Sequence, residues 1–326
     1  MSKYVKFFKD IGKNDAPEAG GKGASLGEMT NAKIPVPPGF VILSSGFEYF
    51  LAENDLVQEI HAIIEKVNHK EIESVERASE EIKELVMRGK MPKSLEKEIR
   101  ECFTKLDAKF VAVRSSATAE DGKEHAWAGQ LDTFLNTTSK GLEKNIKRCF
   151  ASLFTPRAIF YRFEKGLHKT HISVAVVVQK MVNSEKSGIA FSVHPVTEDK
   201  NQIIIEGSWG LGEAIVSGQV TPDSYVVEKT PRNILDINIS EKSRGIFKKA
   251  AGGSPSRKAS AEGANEWKNI SAKKASKQCL TGKEILELTE LILGIEKHYG
   301  FPCDIEWAFE KKKFYITQSR PITTLK

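Results

Sequence analysis

The hydrophobic period of this chain changes once, and that change limits the folds open to it. From Ser45 to about Leu106, apolar residues such as Leu56, Ile60, Ile63, Ile64 and Val67 recur at three- and four-residue spacing among many charges, the signature of amphipathic helices. After His171 the pattern becomes short apolar or alternating runs bounded by turn residues, over 171–182, 188–193, 201–206, 224–228 and 234–239. Lys140 to Phe163 reads as one further helix, and a last helix over 281–299 precedes a closing hairpin. With helices and strands segregated, and with neither an internal repeat nor regular strand–helix–strand alternation, the predicted class is α+β. The division falls near Val182, giving an N-terminal lobe over 1–182 and a β-rich C-terminal lobe over 183–326.

The closing hairpin carries the densest chemistry. Apolar residues alternate with Asp304 and Glu306 on one arm and with Gln318 and Arg320 on the other, so each polar pair shares a face. If the turn is the three-residue loop Lys311-Lys312-Lys313, Glu306 lies opposite Gln318 and Asp304 opposite Arg320. Two carboxylates, an amide oxygen and a guanidinium then converge, a set suited to Mg²⁺ on polyphosphate oxygens and to bidentate phosphate contact. The same alternation also fits a surface hairpin with cross-strand ion pairs.

Composition narrows the classes. The 326 residues, 40% hydrophobic, suffice for a substantial core in about two domains. No apolar run is long enough to span a bilayer, and the first residues lack the apolar stretch of a signal peptide, so no membrane partner is predicted and a cytoplasmic location is the default expectation. The four cysteines form no CxxC pair, and the seven histidines offer no zinc spacing. Much of the net charge of +6 lies between Glu241 and Lys283, but the Gly-, Ala- and Ser-rich stretch 248–276 has only Trp267 as an aromatic. A solvated connector rather than a nucleic-acid surface is expected there.

Several segments suggest anion binding without completing a familiar motif. Gly20-Gly21-Lys22-Gly23, read as a glycine-rich turn before a short helix, lacks the spacing of a Walker loop, yet glycines admit an anion to the backbone and Lys22 supplies charge. Phe110–Arg114 reads as a buried strand delivering Arg114 into the polar loop 115–121. Gly207–Glu213 follows a strand and opens a helix, but Ile215 stands where a dinucleotide fingerprint needs Gly or Ala.

Taken together, these segments resemble one family. The run 20–28, Val113–Asp121, Ala128–Asn136, Gly210-Leu211-Gly212-Glu213, and Asp304-Ile305-Glu306-Trp307 with Gln318-Ser319-Arg320-Pro321 are similar, in the same order, to the nucleotide-binding domain of phosphoenolpyruvate synthase (pyruvate, water dikinase) and its relatives, among them pyruvate phosphate dikinase and rifampin phosphotransferase. The resemblance implies an ATP-grasp fold clamping ATP between two lobes. It implies that Lys22 and Arg114 hold phosphates, with Gly129 and Thr133 lining the same loop, and that Gln179 lies near adenine beside the backbone of 180–182. Glu306 and Gln318 would ligate Mg²⁺ with Asp304 in support, and Arg320 would meet the terminal phosphates. Lys22, Arg114 and Arg320 are the expected catalytic residues, acting by positioning and charge neutralisation. The acceptor histidine on a swivelling domain and the pyruvate-binding domain are expected outside this chain. The loop 121–126 lacks the family's proline, and Leu131 replaces a usual polar residue. The alternatives are a rifampin-type phosphotransferase and a non-catalytic ATP-binding module.

Overall fold

The computed structural model describes residues 3–118, 132–168, 170, 172–249, 265–323 and 325. Contacts divide the chain into two compact units, one of Met1–Glu28 with Pro38–Met181 and one of Met29–Pro37 with Val182–Lys326. In chain order the first elements are β1 (Val5–Phe7), α1 (Ala16–Asn31), β2 (Gly39–Ile42), α2 (Ser44–Glu53), α3 (Leu56–Glu65), α4 (Ile72–Arg88) and α5 (Lys93–Leu106). β3 (Val111–Ala117), β4 (Thr133–Thr137), α6 (Leu142–Ala151), α7 (Pro156–Glu164) and β5 (Val174–Lys180) follow.

The five strands make an antiparallel sheet in the order β1-β2-β5-β3-β4. β5 lies at its centre, and the continuous burial of Val174 to Gln179 explains why its sequence runs apolar rather than alternating. Ile82 and Val86 of α4 and Ile146 and Phe150 of α6 join Val111, Val113 and Val176 in one core.

Sequence and structure differ in three places here. The predicted helix over 140–163 is two helices, because Pro156 cannot continue a helix and Thr155 starts a new one, its hydroxyl accepting the Ala158 N–H at 3.2 Å. The predicted strand ending at Arg114 runs on through Ala117. The Ser115 and Ser116 hydroxyls tolerate burial because Ser115 donates to the Asp132 carbonyl at 3.0 Å and Ser116 accepts the Gly23 N–H at 3.4 Å. Finally, the glycine-rich run 20–27 lies within α1 rather than in a turn, and only Gly20 leaves helical geometry.

The second unit holds β6 (Lys186–Phe191), β7 (Gln202–Trp209), α8 (Glu213–Val216), β8 (Asp223–Glu228), β9 (Ile234–Asn238), β10 (Arg244–Lys248) and β11 (Asn265–Asn269). α9 (Ala272–Ala275), α10 (Gly282–Tyr299), β12 (Cys303–Glu310) and β13 (Lys313–Pro321) complete it. Its main sheet is antiparallel in the order β13-β12-β6-β7-β8-β9. On one face the Trp307 indole covers Gly188 and Gly207; a Cβ at Gly188 would lie 2.7 Å from it.

On that same face Asp223 and Lys242 form a fully buried ion pair. The Asp223 carboxylate also accepts from the Ser240 and Cys279 N–H groups and the Tyr225 hydroxyl, so the buried charge is fully partnered. α10 opens with a capping box, Thr281 with Glu284, and Glu284 also takes the Lys186 ammonium at 2.7 Å.

The stretch 248–276, predicted as a connector, contains strand and helix. β10 and β11 pair as a ribbon with Ile246 opposite Trp267, and the Arg244 guanidinium lies 4.7 Å from the Trp267 ring. Basic residues obscure the alternation there, and residues 250–264 lie outside the described part.

Candidate functional site

In the first unit, the candidate phosphate residues gather along β3. Gly20 has φ +66°, and a Cβ on it would sit 2.2 Å from the Ser116 hydroxyl oxygen, so this position needs glycine. That close approach, with the Gly23 N–H bond to Ser116, seats α1 on β3 two residues from Arg114 and brings half-buried Lys22 to that region. Arg114 itself is buried in mid-strand, with Thr133 directly opposite it on β4. Its guanidinium donates to the Gln179 side-chain oxygen at 3.2 Å.

Gln179 is 3% exposed, and its amide nitrogen has no partner. A buried donor without an acceptor is costly. Gly129 and Leu131, with the rest of 119–131, lie outside the described residues.

In the second unit, the closing hairpin turns on two residues rather than three. Lys311 and Lys312 have φ +50° and +61°, the mirror-image turn that matches strand twist, and Lys313 already pairs with Glu310. Regular pairing from that turn would set Glu306 opposite Thr317 and send Gln318 to the other face. A bulge prevents this. Between Trp307 and Glu306 the register shifts by one, so Thr317 is left over, Glu306 faces Gln318 and Asp304 faces Arg320.

The two pairs differ in character. Arg320 donates from Nε and Nη2 to the same Asp304 oxygen, each at 2.8 Å, while its side chain stays 51% exposed. Asp304 therefore orients a guanidinium that still faces solvent. Glu306 and Gln318 supply one carboxylate and one amide oxygen side by side, and among the described residues no group of three or more His, Cys, Asp or Glu forms a metal cage. Such a sparse oxygen set fits Mg²⁺, which keeps waters and takes one or two carboxylates together with substrate phosphates.

A model of the pyruvate phosphate dikinase AMP/ATP-binding domain matches residues 16–326. The chain belongs to that family. A probable phosphoenolpyruvate synthase of Methanocaldococcus jannaschii is 43% identical over 99% of this chain and 27% of its own length. The phosphoenolpyruvate synthase of Pyrococcus furiosus is 40% identical over 99% and 44%, and the rifampicin phosphotransferase of Bacillus cereus 37% over 100% and 36%. This AMP/ATP-binding-domain chain thus spans between about a quarter and a half of the length of such relatives. D-Alanine-D-alanine ligase of Helicobacter pylori aligns with 71% of this chain and 48% of its own at TM-score 0.32 and 12% identity, a likeness too slight to define the fold.

Asp304's bond to Arg320 is the cross-strand ion pair that the sequence allowed, whereas the Thr317 bulge and the unpartnered amide of Gln179 were unforeseen. Only the bulge had a signal. The two-residue turn and the polar alternation cannot both hold on one face without an extra residue in one arm.

Proposed function

We propose that this chain is the ATP- and Mg²⁺-binding part of a phosphoenolpyruvate synthase-type phosphotransferase, with an ATP-grasp fold whose lobes, 1–182 and 183–326, clamp ATP. A phosphoryl group from ATP reaches a histidine on a swivelling domain and then pyruvate held by a separate domain, so that ATP, pyruvate and water give AMP, phosphate and phosphoenolpyruvate overall. Lys22 and Arg114 hold phosphates with Gly129 and Thr133, and Gln179 meets adenine. Glu306 and Gln318 hold Mg²⁺ and Arg320 contacts the terminal phosphates, with Asp304 as its positioning residue. The magnesium ion neutralises charge on the phosphates, while the chain's own cations orient the transferred group. A cytoplasmic location and the absence of a nucleic-acid partner belong to the same reading.

The observation that carries the proposal is the bulge that brings Glu306 and Gln318 face to face despite a turn that would part them. The buried unpartnered Gln179 amide supports an adenine contact, since a ring nitrogen would satisfy it. Incubation of the chain with ATP, Mg²⁺ and a separately produced swivelling domain should yield acid-labile phosphohistidine; none would sink the proposal. The relationship to rifampicin phosphotransferase supports a second acceptor, the antibiotic, in place of pyruvate. Supplying each acceptor domain in turn separates the two.

A further inference from the structure

The sheet face that carries Glu306 and Gln318 continues beyond them. In register across the strands, Gln318, Glu306, Ile189, Glu206 and Ser224 form one row, and residues directly opposite one another share a face. Glu206 therefore stands two strands from Glu306, about 10 Å at ordinary strand spacing. Half-buried Ile189 lies between them.

Glu206 is unusual for what it lacks. Its side chain is half-buried, burial pushes its carboxyl above the ordinary range, and no described residue hydrogen-bonds or ion-pairs with it. Two residues along the same face, the Ser208 hydroxyl is 1% exposed and likewise has no partner. Neighbouring polar groups left unsatisfied on one strand are costly to the fold alone. Asp223, Glu284, Glu296 and Asp304, buried or half-buried acids of the same unit, are by contrast each ion-paired.

We infer that Glu206 binds the ribose hydroxyls of the nucleotide whose phosphates meet Glu306 and Gln318, and so selects ribonucleotides. The inference rests on the ATP reading and adds a residue to it. An ionised carboxylate is acceptor-only, and its two oxygens match the two donors of a vicinal diol. Among the described residues no group of three or more potential metal ligands forms, so Glu206 belongs to no such cation cage. Ile189 supplies apolar surface for the carbon face of the sugar, and the two-strand separation leaves room for the phosphates between metal and sugar.

The test compares Mg²⁺-dependent binding of ATP, 2′-deoxy-ATP and 3′-deoxy-ATP to the chain and to Glu206→Ala and Glu206→Gln, by titration calorimetry with melting curves for each variant. A hydrogen-bonded hydroxyl lost against a charged acceptor weakens binding roughly tenfold or more, so the unaltered chain should prefer ATP by that factor. Glu206→Ala should bind all three within about twofold, and Glu206→Gln, which keeps the volume and one acceptor, should fall between. An undiminished preference in Glu206→Ala, or no preference in the unaltered chain, overturns the inference while the ATP reading stands. Equal losses for all three nucleotides in Glu206→Ala also overturn it. Failure of the unaltered chain to bind Mg–ATP at all removes both.

Discussion

The Thr317 hydroxyl donates to the Glu306 carbonyl at 3.2 Å, at the step where the closing hairpin changes register. The register passes from Ile316 to Gln318 and skips Thr317, which is thus a spacer that sets which face Gln318 occupies.

Deleting Thr317 should therefore be tolerated. Trp307 keeps Ile316 and Glu306 keeps Gln318, now in a regular ladder, and Mg–ATP affinity measured calorimetrically should stay within about tenfold of the parent. If the hairpin instead held an unbulged ladder on a three-residue turn, the same deletion would carry Gln318 to the opposite face and abolish Mg²⁺-dependent binding.

Glu306→Ala removes the carboxylate but leaves the hairpin's apolar face intact. Mg²⁺-dependent ATP affinity should drop by roughly a hundredfold, as for loss of a strongly charge-assisted contact, with little change in melting temperature. Retained affinity would place the metal elsewhere.

Gln179→Leu exchanges a buried amide, one end of it unpartnered, for an apolar side chain of similar size. ATP binding should weaken roughly tenfold while inorganic tripolyphosphate binding is unchanged, because only the base loses a hydrogen bond. Parallel losses for both ligands would show instead that the substitution acts by releasing Arg114.

Lys242→Met strands the Asp223 carboxylate among buried neighbours and should cost about 3–5 kcal/mol in denaturant unfolding. Adding Asp223→Asn removes the uncompensated charge and should restore most of that loss. Strict additivity of the two substitutions would contradict the pairing.

For Glu284, burial pushes the carboxyl up, but the Lys186 ammonium and the Thr281 donors outweigh it and leave the group below its ordinary 4.5. A carboxyl depressed in the folded state contributes stability above its unfolded value, and that contribution is lost as pH falls through the folded value. The stability gap between the chain and Glu284→Gln, measured by urea unfolding from pH 7 downward, should hold at neutral pH and close below about pH 4.5. A gap independent of pH would remove Glu284's charge from the account.

Much of this was legible from residue order. The change of period after His171 points to the α+β class, and the alternation alone pairs Asp304, Glu306, Gln318 and Arg320 across a hairpin. Their pairing was anticipated from a wrong turn length, because sequence alone does not say where a bulge absorbs an extra residue. Ser115 and Ser116 read as loop since their hydroxyl partners, Asp132 and Gly23, are distant in sequence. The ribbon of 244–248 and 265–269 was hidden for a related reason. Its lysines and Arg244 resemble those of a connector until Trp267 is seen to pair with Ile246. Glu206 looked like any strand acid because being unpartnered is a property of the assembled sheet.

In the six-stranded sheet, β6 is flanked by β7, which follows it closely, and by β12, which begins more than a hundred residues later. During synthesis, β6 through β9 can form a meander while one side of β6 still displays unpaired backbone. A ribosome stalled upstream of Cys303 would leave a nascent chain with an open edge and without Glu306 or Gln318. Shielding of that edge from aggregation and acquisition of the proposed magnesium-binding pair thus depend on one late event.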